Sequence, residues 1–367
     1  MAPVAVATPT ATPVEALKAG VDALNLGVEA ADLSVYGQFD NTPSTGTEFR
    51  SVPTKSDSRP LLTIKEVLAD DAKLKALGRL VSERAVVFFR DAEITPEEQK
   101  VLVDKLGKFG GKPADSTLHI HPLTLPGSQH GDEISIISNE FLFDGKFKLD
   151  KKVIARVRGA QHWHSDITFE NVPSDYASLV IRTLPEVGGD TLWASAYEAY
   201  DRLSAPTQKY LEGLTAVHKG QGFIDFANKL KVEVREHRGS PQNVGQDLET
   251  VHPVIRTNPV TGWKGLFVNR GFTKRIVELS SSESDAILEF LYDHVAANHD
   301  IQVRFRWEPN SLAIWDNRSS FHAPTPDVDS ATREGTRSVS IGERPYFDPN
   351  SKSRRADLAS KAASKAA

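Results

Sequence analysis

The sequence predicts a mainly β fold with flanking helices, a double-sheet jelly roll. Three observations predict it. Short β-rich runs recur along the chain, turn residues separate them, and only a few helical stretches fall between them. An α/β sandwich is the alternative. A parallel doubly wound sheet fits less well, because strands and helices do not alternate regularly.

Residues 1–14 read MAPVAVATPTATPV, an Ala/Pro/Thr run that cannot build a core and is expected to be a disordered tail. Residues 15–60, with many Gly, Ser, Thr and Pro, read as an N-terminal arm extended over a domain surface. Residues 61–348 follow as a single domain. AVVFF (85–89) is its first strand. Thr95-Pro96-Glu97-Glu98 combines a capping box with proline at the first helical position, so a helix should run to about residue 108. ISIIS (134–138), YASLVIRT (176–183), HPVIRT (252–257), GLFVN (265–269), IQVRFRW (301–307), SLAIWD (311–316) and RSVSIGE (337–343) are further strands. The run 301–307 alternates apolar and polar residues, as a strand with one buried face does. Ser282 opens a second long helix, SESDAILEFLYDHVAANH, with apolar residues at helical spacing. Residues 349–367 are polar and alanine-rich, a frayed tail or loose helix. There is no internal repeat.

Composition narrows the function. A net charge of −5 gives no basic footprint for nucleic acid or an anionic membrane. No apolar run reaches the length of a transmembrane helix, and the start lacks a secretory signal, so the cytoplasm is the expected location. With no cysteine there is no disulfide, thiolate nucleophile or cysteine-bound metal. The one methionine is Met1, so sulfur is otherwise absent from the chain.

The most informative segment is Gln161-His162-Trp163-His164-Ser165-Asp166-Ile167-Thr168-Phe169. On a strand, residues i and i+2 share a face, so His164 and Asp166 would aim an imidazole and a carboxylate into one space. A bare His-x-Asp is common, and its value comes from its company. His322, just after the strand at 311–316, can supply a second imidazole. Two histidines and one carboxylate leave open positions on a ferrous ion for a cosubstrate and oxygen. A keto-acid cosubstrate such as 2-oxoglutarate then needs a cationic fork for its far carboxylate. Arg333 and Arg337 are candidates, with surface ion pairing as their plain alternative, and the Thr191 hydroxyl could donate to the same carboxylate. His162 could replace His164 in a shifted register. The remaining histidines read as surface or core residues.

The segments WHSDITF, GGDTLWAS, LFVNRGFT, QVRFRW to AIWDNR, and the His322-to-Arg337 spacing resemble the TauD/TfdA family of Fe(II)/2-oxoglutarate dioxygenases over roughly residues 60–348. The resemblance implies a double-stranded β-helix core. It implies His164, Asp166 and His322 on iron, with Thr191 and Arg333 on 2-oxoglutarate. Arg337 matches the position that binds the substrate sulfonate in the taurine enzymes, and His121 matches a second substrate position. Trp193 and Phe272 are then pocket-wall candidates. Two positions depart from the taurine pattern: Thr124 replaces a pocket tyrosine and Ala160 a pocket asparagine. Iron and cosubstrate positions are intact while the amino-sulfonate fit is altered, which points to a small anionic organic substrate other than taurine. Fungal sulfonate dioxygenases are the most similar in general look. The family also implies a homo-oligomer, dimer or tetramer.

The missing sulfur bears on substrate. A cell starved of sulfur gains by building its scavenging enzymes without Cys or Met, which favours a sulfonate or sulfate ester as substrate. Selection against oxidisable side chains is the other explanation. Two further readings stand beside the leading one: the same chemistry on an amino acid, purine-like ring or other small carboxylate, and a jelly-roll binding protein without catalysis.

Overall fold

The computed structural model describes residues 28–124, 128, 130–139, 159–328 and 332–366. The expected tail at 1–14 and the first part of the arm lie outside the described residues. The strands are β1 (Gln38–Asp40), β2 (Thr47–Phe49), β3 (Val86–Phe89), β4 (Ile134–Ser138), β5 (Ser174–Thr183), β6 (Thr191–Ser195), β7 (Thr215–Lys219), β8 (Glu249–Pro253), β9 (Ile255–Thr257), β10 (Lys264–Leu266), β11 (Thr273–Ile276), β12 (Gln302–Phe305), β13 (Leu312–Asp316), β14 (Ser320–Pro324) and β15 (Glu334–Ile341). The helices are α1 (Ile64–Leu68), α2 (Asp71–Arg84), α3 (Pro96–Phe109), α4 (Ala196–Asp201), α5 (Ala205–Leu211), α6 (Gln221–Leu230), α7 (Ser281–Ala297) and α8 (Arg354–Ala366).

A seven-stranded sheet runs in the order β1-β2-β3-β13-β5-β15-β4, and a three-stranded sheet β12-β6-β14 faces it. Between them lies one core cluster. Val86 and Phe88 of β3, Ala177 and Leu179 of β5, and Ala313 and Trp315 of β13 meet Trp193 of β6 and Val303 and Phe305 of β12. The alternate residues of the same strands turn the other way. Val87, Phe89, Val180, Leu312 and Ile314 pack under Leu74, Leu77 and Val81 of α2 and Leu102 and Leu106 of α3. The central strands are therefore buried on both faces, which is why they read as unbroken apolar runs. Each such buried side chain contributes about 1.5–3 kcal/mol relative to exposure.

Helix α3 begins as expected: Thr95 accepts from the Glu98 amide and Glu98 reaches back to the Thr95 amide. Its tilt over the sheet also places the Gln99 side chain on the Thr336 carbonyl of β15.

Several expectations change. The arm is no loose cover between residues 38 and 49: β2 pairs in parallel with β3, and Thr45, Thr47 and Phe49 are buried. The run 252–257 breaks at Val254 into β8 and β9, which belong to different sheets. The helix expected at Ser282 starts at Ser281, with Ser280 and Glu283 forming its capping box. The alanine-rich end is helix α8, docked by Arg354 and Arg355 on Glu198 and by Asp357 on the Trp263 indole. Among the described residues, no helix is long and apolar enough to cross a membrane.

Candidate metal centre and anion pocket

Residues 161–169 do not form a strand. A short 3-10 turn ends at His162, His164 makes a single antiparallel bridge to His322 of β14, and a turn follows from Asp166. The bridge brings the two histidines together. His164 N–H donates to the His322 carbonyl (3.0 Å) and His322 N–H donates back (2.8 Å). Residues paired this way project on the same side, and the two imidazole centroids lie 4.2 Å apart. Asp166 Oδ1 sits 3.9 Å from each Nε2. Among the described residues, His164, Asp166 and His322 are the one group of three or more such donors, all within 4.8 Å of one another.

Their protonation suits a cation. The His162 carbonyl lies 2.7 Å from His164 Nδ1, so Nδ1 donates to it and Nε2 is the nitrogen that faces the cluster. His162 thus serves through its backbone, which removes the shifted register. Burial, with His164 beside it, pushes His322 down to about 3, so it is neutral at pH 7. Burial works to raise Asp166, but Arg337, His322 and His164 outweigh it and hold the carboxyl at about 2. Asp166 Oδ2 is buried with no hydrogen-bond partner among the described residues, an orphaned acceptor beside two imidazoles. Two imidazoles and one carboxylate fit a divalent iron with positions left open.

Next to this cluster is a buried cation. Arg333, 8% exposed, precedes β15 and donates from Nε to the Gly189 carbonyl (2.8 Å) and from Nη2 to Thr191 Oγ1 (3.3 Å). Trp307 Nε1 also donates to Thr191 Oγ1, at 3.0 Å, and its ring lies 6.0 Å from the guanidinium. Gly189 has φ +73°, and a Cβ there would meet Arg333 Cδ at 2.9 Å, so glycine is what lets the guanidinium approach. No carboxylate among the described residues lies within ion-pair distance of Arg333, and burial pushes its pKa down to about 10. Thr191 and Arg333 therefore meet as expected. Trp307 was missed, since nothing in its own segment shows that it would reach a hydroxyl 116 residues away in the chain.

The other predicted residues divide. Arg337 on β15 donates from Nη1 to Asp166 Oδ1 at 2.7 Å, with Nε buried and unpartnered. His121 is held near Arg337, and burial together with that cation pushes it down to about 4. Its ring meets Phe223 of α6 edge-on at 5.0 Å. Phe272 stands 6.1 Å from His164 and is partly exposed, as a pocket wall requires. Trp193 is not a wall. It is 0% exposed, paired with His322 across β6 and β14, and packed into the core beneath it. Phe223 was not singled out from the sequence, although the apolar stripe of its helix is visible there. His218 and His252 are core residues, bonded to Thr168 and to the Glu170 carbonyl.

Two facing sheets that carry a His-Asp-His face beside a buried, unpaired arginine define a class, the Fe(II) oxygenases that take a keto-acid cosubstrate. The chain belongs to the TauD/TfdA family: residues 52–339 match the family described as taurine catabolism dioxygenase TauD, TfdA family. It is 42% identical over 337 residues to an alpha-ketoglutarate-dependent dioxygenase of Neocamarosporium betae, covering 88% of this chain and 95% of the relative. It is 34% identical over 283 residues to an alpha-ketoglutarate-dependent sulfonate dioxygenase of Saccharomyces cerevisiae, covering 76% of this chain and 63% of the relative. A taurine dioxygenase structure from Burkholderia xenovorans superposes with a TM-score of 0.61 at 28% identity, covering 86% of this chain and 92% of that one. The protein is a dioxygenase that uses Fe(II), 2-oxoglutarate (alpha-ketoglutarate) and O2.

Proposed function

We propose that this dioxygenase hydroxylates the carbon next to the sulfonate or sulfate group of a small organosulfur anion. Its two facing sheets are the jelly-roll core. His164, Asp166 and His322 hold the iron. Thr191 and Arg333 take the far carboxylate of 2-oxoglutarate, and Arg337 with His121 takes the substrate anion. Bound iron supplies the redox chemistry: O2 and 2-oxoglutarate give succinate and CO2, and the second oxygen atom enters the substrate C–H bond. A hydroxyl placed on a sulfonate-bearing carbon gives up its proton and becomes the aldehyde C=O as the C–S bond breaks and sulfite leaves. A sulfate ester gives an aldehyde and sulfate in the same way.

The single observation that carries the cosubstrate assignment is the buried Arg333, whose hydrogen bonds reach only neutral oxygens. A desolvated cation in that state is stabilised when a carboxylate completes the pair. For the substrate, support comes from Arg337 and His121 beside the metal cluster and from a chain with no cysteine and no methionine beyond Met1. Phe272 and Phe223 flank the same space with apolar surface and exclude water from it. The test is aerobic incubation with Fe(II), 2-oxoglutarate and a panel of sulfonates and alkyl sulfates, assaying sulfite, sulfate and succinate. Sulfite or sulfate release coupled to succinate is expected. Coupled turnover of carboxylate substrates alone would move the reading to an amino acid, purine-like ring or other small carboxylate, which Thr124 and Ala160 leave room for.

A further inference from the structure

The metal cluster draws two of its donors from paired backbone at the His164–His322 bridge, but its third stands on a turn. Asp166 is followed by Ile167 at φ +50°. A β-branched residue in the left-handed region is strained by roughly 1–3 kcal/mol and persists only where the surroundings over-determine it. Relaxation of that turn would carry the Asp166 carboxylate away from the histidines. The side chain of Asp166 receives one hydrogen bond, from the long and rotatable Arg337. Something stiffer must hold the main chain.

We propose that Asn317 is the positioning residue of the metal centre, clamping the turn so that Asp166 faces His164 and His322. The inference rests on those three residues being the iron ligands. Asn317 follows β13 and is 2% exposed. Its Oδ1 accepts from the Asp166 N–H at 3.1 Å and from Trp315 Nε1–H at 3.0 Å. Its Nδ2 and its backbone N–H both donate to the Asp175 carbonyl, at 3.3 and 2.8 Å, and its own carbonyl accepts from Ser165 Oγ at 2.6 Å. From the other side Ser174 Oγ donates to the Asp166 carbonyl at 3.2 Å. The amide side chain thus spends both ends inside the protein, tying the turn to the start of β5 and the end of β13. Alanine at 317 leaves two buried N–H groups without an acceptor and frees the turn.

The test uses the full chain and Mn(II) alone, titrated calorimetrically into wild type, Asp166→Ala and Asn317→Ala, with hydrogen exchange and thermal melting alongside. Wild type binds and Asp166→Ala does not. If Asp166→Ala binds as wild type does, the ligand assignment itself is wrong and the inference falls with it. With the ligands secure, Asn317→Ala is expected to weaken Mn(II) by about 10–100-fold. Its Asp166 amide exchanges faster, while amides within β5 and β13 keep their protection. A folded Asn317→Ala protein that binds Mn(II) as wild type does, or that loses protection equally throughout β5 and β13, overturns the proposal. Should Asn317→Ala fail to fold, hydrogen exchange of the wild type decides: an Asp166 amide protected to the same degree as those within β5 and β13 is expected, and exchange as fast as that of an open turn refutes the clamp.

Discussion

Arg318 and Arg333 are both buried, 1% and 8% exposed, yet their surroundings differ in kind. Arg318 lies in a closed ionic cluster. Its Nε and Nη2 grip the two oxygens of Asp316 at 2.8 and 3.0 Å, and its Nη1 reaches Glu343 at 3.3 Å. Asp316 also accepts from Ser82 Oγ and Asn258 Nδ2, and Glu343 pairs with Arg256. Burial works against the Arg318 charge, but these carboxylates overcome it and raise its pKa well above the ordinary value. Among the described residues the Arg333 guanidinium has hydrogen bonds to a carbonyl and a hydroxyl only, and burial prevails, pushing it down to about 10. A buried charge completed by its own chain holds the fold together. One completed only by neutral oxygens is left for an anion from outside.

The comparison breaks most visibly at Asp316. Asp316→Ala leaves Arg318 only Glu343, which Arg256 already engages, and should lower unfolding stability by about 3–5 kcal/mol, read from a urea titration. An unchanged midpoint would mean that Arg318 finds water or another partner. Arg333→Gln should do the reverse. Stability holds or rises, while 2-oxoglutarate binding weakens by about 10–100-fold, one lost charge-assisted contact. Equal loss of stability and affinity would place Arg333 with Arg318 as a structural residue.

Arg337 tests the boundary between the two kinds, since it is paired with Asp166 yet keeps a buried Nε without a partner. Arg337→Ala should raise the substrate requirement by about tenfold or more and the 2-oxoglutarate requirement much less. Comparable changes in both would assign Arg337 to the cosubstrate.

The smallest effect at neutral pH belongs to a third way of burying a base, which is to keep it neutral. Burial, with Arg256 beside it, lowers His252 from 6.5 to about 3. The unfolded chain therefore takes up this proton first as the pH falls below 6.5, and the folded state loses stability through the window from 6.5 to about 3. The slope is at most about 1.4 kcal/mol per pH unit, and His252→Gln should remove it from a series of denaturation curves.

What the sequence made legible follows the range of the forces involved. The capping box at Thr95 and the strands β3, β4 and β13 were readable because each is specified by neighbours or by an unbroken apolar run. Strands β6 and β14 were not, because Ser195, Ser320 and Pro324 interrupt any β pattern and pairing decides them. His164, Asp166 and His322 come together as expected, but not through the strand that was expected to bring them together. The common face comes from a bridge and a clamped turn, and strand periodicity plays no part in it. Trp193, a pocket-wall candidate by resemblance, lies in the core because whether its face meets a cavity or the core depends on β12 and β13, more than a hundred residues on. The partners of Asn317 likewise come from segments far apart in the chain.

The bridge between His164 and His322 has one further consequence. Because two backbone hydrogen bonds join those residues, their imidazoles are gathered when the sheet forms, before any ion arrives. On the proposed assignment of these residues to iron, the entropy of assembling the two imidazoles is spent in folding, so loss of the ion need not unravel the chain.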